Sequence, residues 1–101
     1  MRKIDLEDYT VNEVTFQMRT SLAAVLFNEE GLDPREVIRR DELANKIEQQ
    51  SENLLFLEES EWNKIVSGLK ATDLKPHGRS VVEFIRRVLD APEVEVQEKR
   101  Q

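Results

Sequence analysis

The stretch Glu58-Glu59-Ser60-Glu61-Trp62-Asn63-Lys64-Ile65-Val66-Ser67-Gly68-Leu69-Lys70-Ala71 carries the clearest period in the chain. Trp62, Ile65, Val66 and Leu69 fall at i, i+3, i+4 and i+7, which is one apolar stripe of a helix. Glu58, Glu59 and Glu61 crowd its start and Lys70 sits at its end, the arrangement that a helix dipole favours. The spacing predicts a helix over 58–71, with Trp62 on its core side.

Toward the C-terminus, Thr72 to Arg79 reads as a loop containing Pro76 and Gly78. Ser80 followed three residues later by Glu83 has the form of a capping box. A helix is expected from Val81 to Leu89, with Val81, Ile85, Val88 and Leu89 inward and Phe84 alongside. Asp90-Ala91-Pro92 stops it. Glu93-Val94-Glu95-Val96 alternates charge with Val, a weak strand signal, and 97–101 reads as a polar tail that frays.

Toward the N-terminus, Leu54-Leu55-Phe56-Leu57 is the most apolar run. Four residues do not separate strand from helix by period alone, but the polar turn formers before it favour a short buried strand. Asp33-Pro34 opens a helix, because Asp suits the N-cap and Pro the first helical position. That helix runs to about Gln50, with Val37, Ala44 and Ile47 on one face and Leu43 adjoining. The polar Arg39-Arg40-Asp41 allows a kink or a break into two shorter helices. Met18, Leu22, Val25 and Leu26 share a stripe, so a helix is expected near 20–28, with Gly31 as its C-terminal stop.

Before it, Tyr9-Thr10-Val11 and Val14-Thr15-Phe16-Gln17-Met18 flank the polar pair Asn12-Glu13. Such β-branched and aromatic runs around two polar residues indicate a β-hairpin, with Phe16 and Met18 on one face. The chain is therefore read as α+β and mainly α: about four short amphipathic helices with an N-terminal β-hairpin. Residues 1–96 are taken as a single domain.

The composition bounds the function. The 101 residues include no Cys, one His (His77), three Gly and one Trp. No nucleophile–base pair, metal cluster or phosphate loop is assembled in the sequence, so the expectation is a non-enzyme without cofactor or metal. At 39% hydrophobic and 36% charged, it has a thin core under a charged surface, yet enough apolar residues to fold. A formal net charge of −6 opposes nonspecific nucleic-acid binding, which needs clustered Lys and Arg. No apolar run approaches 18 residues, so no membrane span is expected. The opening residues lack a signal-peptide segment, and a cytoplasmic location is expected.

Few residues have the character of a site. Lys75-Pro76-His77-Gly78-Arg79-Ser80 sets cationic and hydroxyl groups before a helix, although turn chemistry and capping account for most of it. His77 alone cannot make a structural metal site, which needs about four ligands. The acidic groups around Glu29, Glu58 and Glu93 read as helix-start acids and surface charge; no EF-hand spacing is present. Arg35, Arg39 and Arg40, with Arg86 and Arg87, are the basic exceptions. Arg35 and Arg39, one turn apart, are a candidate patch for an acidic partner, set against simple i,i+4 pairing with acids such as Glu36. The candidate interaction residues are thus Arg35, Arg39, His77, Arg79, Val94 and Val96.

Three stretches carry a resemblance: Lys3-Ile4-Asp5-Leu6-Glu7-Asp8-Tyr9-Thr10-Val11, Leu43-Ala44-Asn45-Lys46-Ile47-Glu48, and Val82-Glu83-Phe84-Ile85-Arg86-Arg87-Val88-Leu89-Asp90-Ala91-Pro92-Glu93-Val94-Glu95-Val96. Taken in order they cover most of the chain, which resembles small proteins of tailed phages and prophages. The resemblance implies a viral or prophage setting and carries over no functional residue.

Two functions are weighed from these readings. One is a non-enzymatic interaction or assembly protein of phage or prophage origin. It would bind a protein partner through helix faces, the hairpin edge or the Val94/Val96 tail, with homo-oligomerisation through a strand edge included. The other is an acidic inhibitor or nucleic-acid mimic that occupies a basic site on a host protein. A small enzyme built on the His77–Arg79 loop ranks below both.

Overall fold

The computed structural model describes residues 1–72 and 79–94. The helix read from the 58–71 stripe is α3, Glu59–Ala71. Glu61 Oε1 accepts the Glu58 amide at 2.8 Å, which satisfies one of the donors left open at a helix start. Ile65 and Leu69 are buried, and Trp62 and Val66 lie partly buried against the core. The Trp62 ring edge is anchored, its Nε1 donating to the Val88 carbonyl at 2.9 Å.

The apolar run 54–57 is a strand, β4 (Leu54–Leu57), as its flanking turn formers imply. Its partner is β1, Arg2–Asp5, antiparallel, with Ile4 opposite Leu55. Alternation then sends Ile4, Leu55 and Leu57 inward. The opposite edge of β1 is occupied by the chain's return: Lys3 N donates to Pro92 O, Val94 N to Met1 O, and Arg2 bridges to Glu93. The Glu93–Val94 end of the tail is thus strand-like in its pairing. Val96 and the 97–101 tail lie outside the described residues.

The N-terminal hairpin is present as β2 (Tyr9–Val11) and β3 (Val14–Phe16). Asn12 and Glu13 both take positive φ, 52° and 69°, as a two-residue turn matched to strand twist requires. The second strand ends sooner than its pattern suggests, because Met18 opens α1 (Met18–Val25) instead of extending β3. Asp8 Oδ1 draws the helix start in by accepting the Met18 amide at 2.8 Å. Helix α1 ends at Val25, so Gly31, though at φ 80°, serves the connection beyond and not the helix stop.

Helix α2, Pro34–Gln49, starts as read: Asp33 Oδ1 accepts the Glu36 amide at 2.9 Å. It runs unbroken through Arg39-Arg40-Asp41. Its inner face is Arg40, Leu43, Ala44 and Ile47; Val37, expected inside, is exposed. Arg40 takes the inner position because carboxylates await it there, as described below.

Helix α4 is described over Arg79–Leu89, with Arg79 and Ser80 both helical. Ser80 therefore lies inside the helix and is not its cap, and the loop that precedes it, including His77, lies outside the described residues. Phe84 and Val88 form the buried face, while Leu89, expected inward, is 44% exposed. Asp33→Ala is expected to cost about 1 kcal/mol, the usual value of a lost cap. Ser80→Ala should stay within about 0.5 kcal/mol, as for an ordinary surface change. Paired urea-unfolding curves check this; equal losses would contradict the two assignments.

The architecture is α+β and mainly α, with four helices and two small antiparallel sheets among the described residues. The core joins β1, β4 and one face of each helix.

Candidate functional site

The helical period of α4 puts Arg79, Val82, Glu83 and Arg86 at i, i+3, i+4 and i+7, on one face away from the buried Phe84 and Val88. That face forms one wall of a surface groove of about 640 Å³. The opposite wall is β2, and all three of its residues, Tyr9, Thr10 and Val11, line the groove. Side chains of consecutive strand residues point to opposite faces. A wall that takes in three in a row therefore includes the strand's backbone edge as well as side chains.

Aromatic packing holds the hairpin on the helix. Tyr9 and Phe16 are cross-strand partners with rings stacked at 5.3 Å, and Phe16 meets Phe84 at 5.2 Å. The Tyr9 hydroxyl donates to the Ser80 carbonyl in the first turn of α4. Burial raises the Tyr9 phenol above its ordinary value; Arg87 acts against this and Glu83 adds to it. The hydroxyl is therefore a donor at neutral pH.

Arg87 closes the base of the groove. Its guanidinium lies 4.5 Å from the Tyr9 ring centroid, its Nε donates to Glu83 Oε2 at 3.0 Å, and its Nη1 reaches the carbonyls of Asp5 and Glu7. These bonds fix Arg87 as part of the wall. Arg79 and Arg86 are exposed at the rim, and Val82, 46% exposed, lies between them. The groove thus offers guanidinium donors, the outward N–H and C=O of Thr10 on the strand edge, since Tyr9 and Val11 turn theirs toward β3, and an apolar step. Such groups recognise a chain by charge and by main-chain pairing.

The basic residues singled out in the sequence separate into different places. Arg79, Arg86 and Arg87 meet at the groove. Arg35 and Arg39 are exposed on α2, and Arg39 approaches Glu36 at 3.9 Å. The third member of that cluster, Arg40, turns inward and is 4% exposed. It contacts Glu29 at 3.0 Å, Glu36 at 2.9 Å and the Leu26 carbonyl at 3.1 Å. Val94 is engaged with Met1 on the β1 edge. His77 and Val96 lie outside the described residues.

Tyr9 and Val82 were not singled out in the sequence, and the hairpin edge was named there only as a general surface, without its strand or the helix that faces it. The 79/82/83/86 spacing was readable as a helix face, but the strand that faces it is about 70 residues away in sequence, beyond the reach of local periodicity.

Among the described residues no group of His, Asp or Glu side chains converges so as to hold a metal ion, and no helix is long and apolar enough to cross a membrane. No protein-family model, curated protein or solved structure matches the chain.

Proposed function

We propose that the protein is a non-enzymatic interaction or assembly protein of phage or prophage origin, and that it recognises a protein partner through the groove between β2 and α4. The observation that supports this reading most is the pairing of an open strand edge with an arginine-bearing helix face across one groove. Strand edges are templates for another chain. The phage setting rests on the sequence resemblance alone.

A photo-crosslinking amino acid placed at Val82 tests the reading in cells that produce the protein. The comparison site is Glu48, exposed on α2 and bordering a different groove. A discrete protein adduct from position 82, absent from position 48, is the expected result. An adduct from position 48 alone would favour the acidic-inhibitor reading and reject this one. No adduct from position 82 would also reject it.

A further inference from the structure

Resting on that reading of the groove, we infer that its occupant is an extended acidic peptide segment of the partner. The segment adds as a strand to the open edge of β2, and its carboxylates meet Arg79 and Arg86.

The two sheets differ in how their edges are used. β1 is paired on both sides, by β4 and by the returning 92–94 segment. Among the described residues β2 is paired on one side only, by β3. Its other edge opens on the groove, where backbone groups are available to a further strand. A peptide laid there is bounded on its far side by α4.

Charge selects the peptide. The chain carries a formal net charge of −6, yet this groove gathers three of its arginines. One of them, Arg87, is held against Tyr9, Glu83 and two carbonyls, and it also offsets the Glu83 carboxylate in the wall. Arg79 and Arg86 stand seven positions apart on α4, about 10 Å along the axis at 1.5 Å per residue. Residues i and i+2 of a strand share a face about 6.6 Å apart. Carboxylates at those two positions come within reach of two long guanidinium side chains, with Val82 between them.

A peptide fits these features better than a nucleic acid does. The edge of β2 presents the N–H and C=O of Thr10 side by side, a donor–acceptor pair that matches a peptide backbone and not a sugar–phosphate chain.

The test is titration of the full chain with acetyl-(Glu-Thr)4-amide, followed by amide chemical shifts and by calorimetry. The expected shifts centre on Tyr9–Val11 and on 79–87. Arg79→Glu/Arg86→Glu should weaken binding about tenfold, since two exposed ion pairs become repulsions. The residues are exposed, and an unchanged thermal melt verifies that the variant is folded. Two probes need no variant. The Lys-Thr counterpart should not bind, and a Glu-Thr peptide N-methylated at alternate amides should lose binding, because strand pairing needs its N–H groups.

Equal binding of the Lys-Thr peptide, or of the N-methylated peptide, would overturn the inference. So would binding unaffected by the double reversal, or tighter binding of a single-stranded oligonucleotide in the same groove. An adduct from position 82 with no peptide-induced shift in β2 would reject the acidic strand and leave groove recognition standing. No adduct would reject groove recognition itself.

Discussion

Gly68→Ala is expected to destabilise the protein strongly, although Ala is the better helix former. In an exposed helix interior this change gains about 0.5–1 kcal/mol. Gly68, however, is where α3 crosses α1. A Cβ there would stand 2.1 Å from the Val25 carbonyl oxygen and 2.9 Å from its carbon. Those are backbone atoms, so no rotamer change relieves the contact. Carbon and oxygen rest near about 3.5 Å apart, so the helices would have to part by roughly 1 Å. That movement opens the packing of Leu22, Leu26, Ile65 and Leu69, all buried.

Overpacking of this kind costs about 1–3 kcal/mol and more where backbone must move. A net loss of about 2 kcal/mol or more follows, a fall of about 10 °C in melting temperature for a domain of this size. Gly31→Ala is the comparison. Gly31 has φ 80° with nothing within 4 Å of a built Cβ, so only left-handed strain of about 1 kcal/mol applies. Thermal melts of the two variants should rank Gly68→Ala well below Gly31→Ala. A neutral or stabilising Gly68→Ala would mean that α1 and α3 do not meet at this point.

Arg40→Ala is expected to have an effect at least as large. The guanidinium is buried and ties three segments together: α2 through Glu36, the α1 end through the Leu26 carbonyl, and the connection through Glu29. Helix α3 joins the network. Lys64 donates to both oxygens of Glu36 at 3.0 and 2.9 Å, and Ser67 Oγ donates to Glu29 at 2.6 Å. Removing the Arg40 side chain leaves the buried Leu26 carbonyl without its donor, at a cost of about 1–3 kcal/mol, to which the lost packing of the stem adds, while Glu36 keeps Lys64 and Glu29 keeps Ser67. Arg40→Met should lose less, since it retains the apolar stem.

The network also sets an acid limit. The Ser67 hydroxyl, then Arg40, holds Glu29 below its ordinary value; bonds from Arg40 and Lys64 hold Glu36 below its own. A depressed carboxylate contributes stability above its unfolded value, about 4.3 for Glu. That contribution is lost as pH falls through the lower folded value. Urea unfolding between pH 7 and pH 3 should therefore show stability falling below about pH 4.3, and falling less in Arg40→Met. The same acid dependence in both proteins would place its origin in other carboxylates.

Most elements were readable because each carries a local cause. The 62/65/66/69 stripe specifies α3, Asp33-Pro34 starts α2, and two polar residues between β-forming runs specify the hairpin. Errors arose where a distant group overrode the local pattern. Asp8 takes the Met18 amide, so Met18 starts a helix. Carboxylates and a carbonyl receive Arg40, so an arginine takes a core position on an unbroken α2 and Val37 faces solvent.

The candidate site divides in the same way. Its helix wall was present in the spacing of Arg79, Val82, Glu83 and Arg86. The strand opposite, and the use of the β1 edge by the returning chain, come from pairings across some 70 to 90 residues. A sequence pattern states which face of an element is apolar or charged, because that depends on backbone period alone. Which faces meet, which strand edge is left open and which arginine is enclosed depend on long-range packing, and only the folded chain decides them.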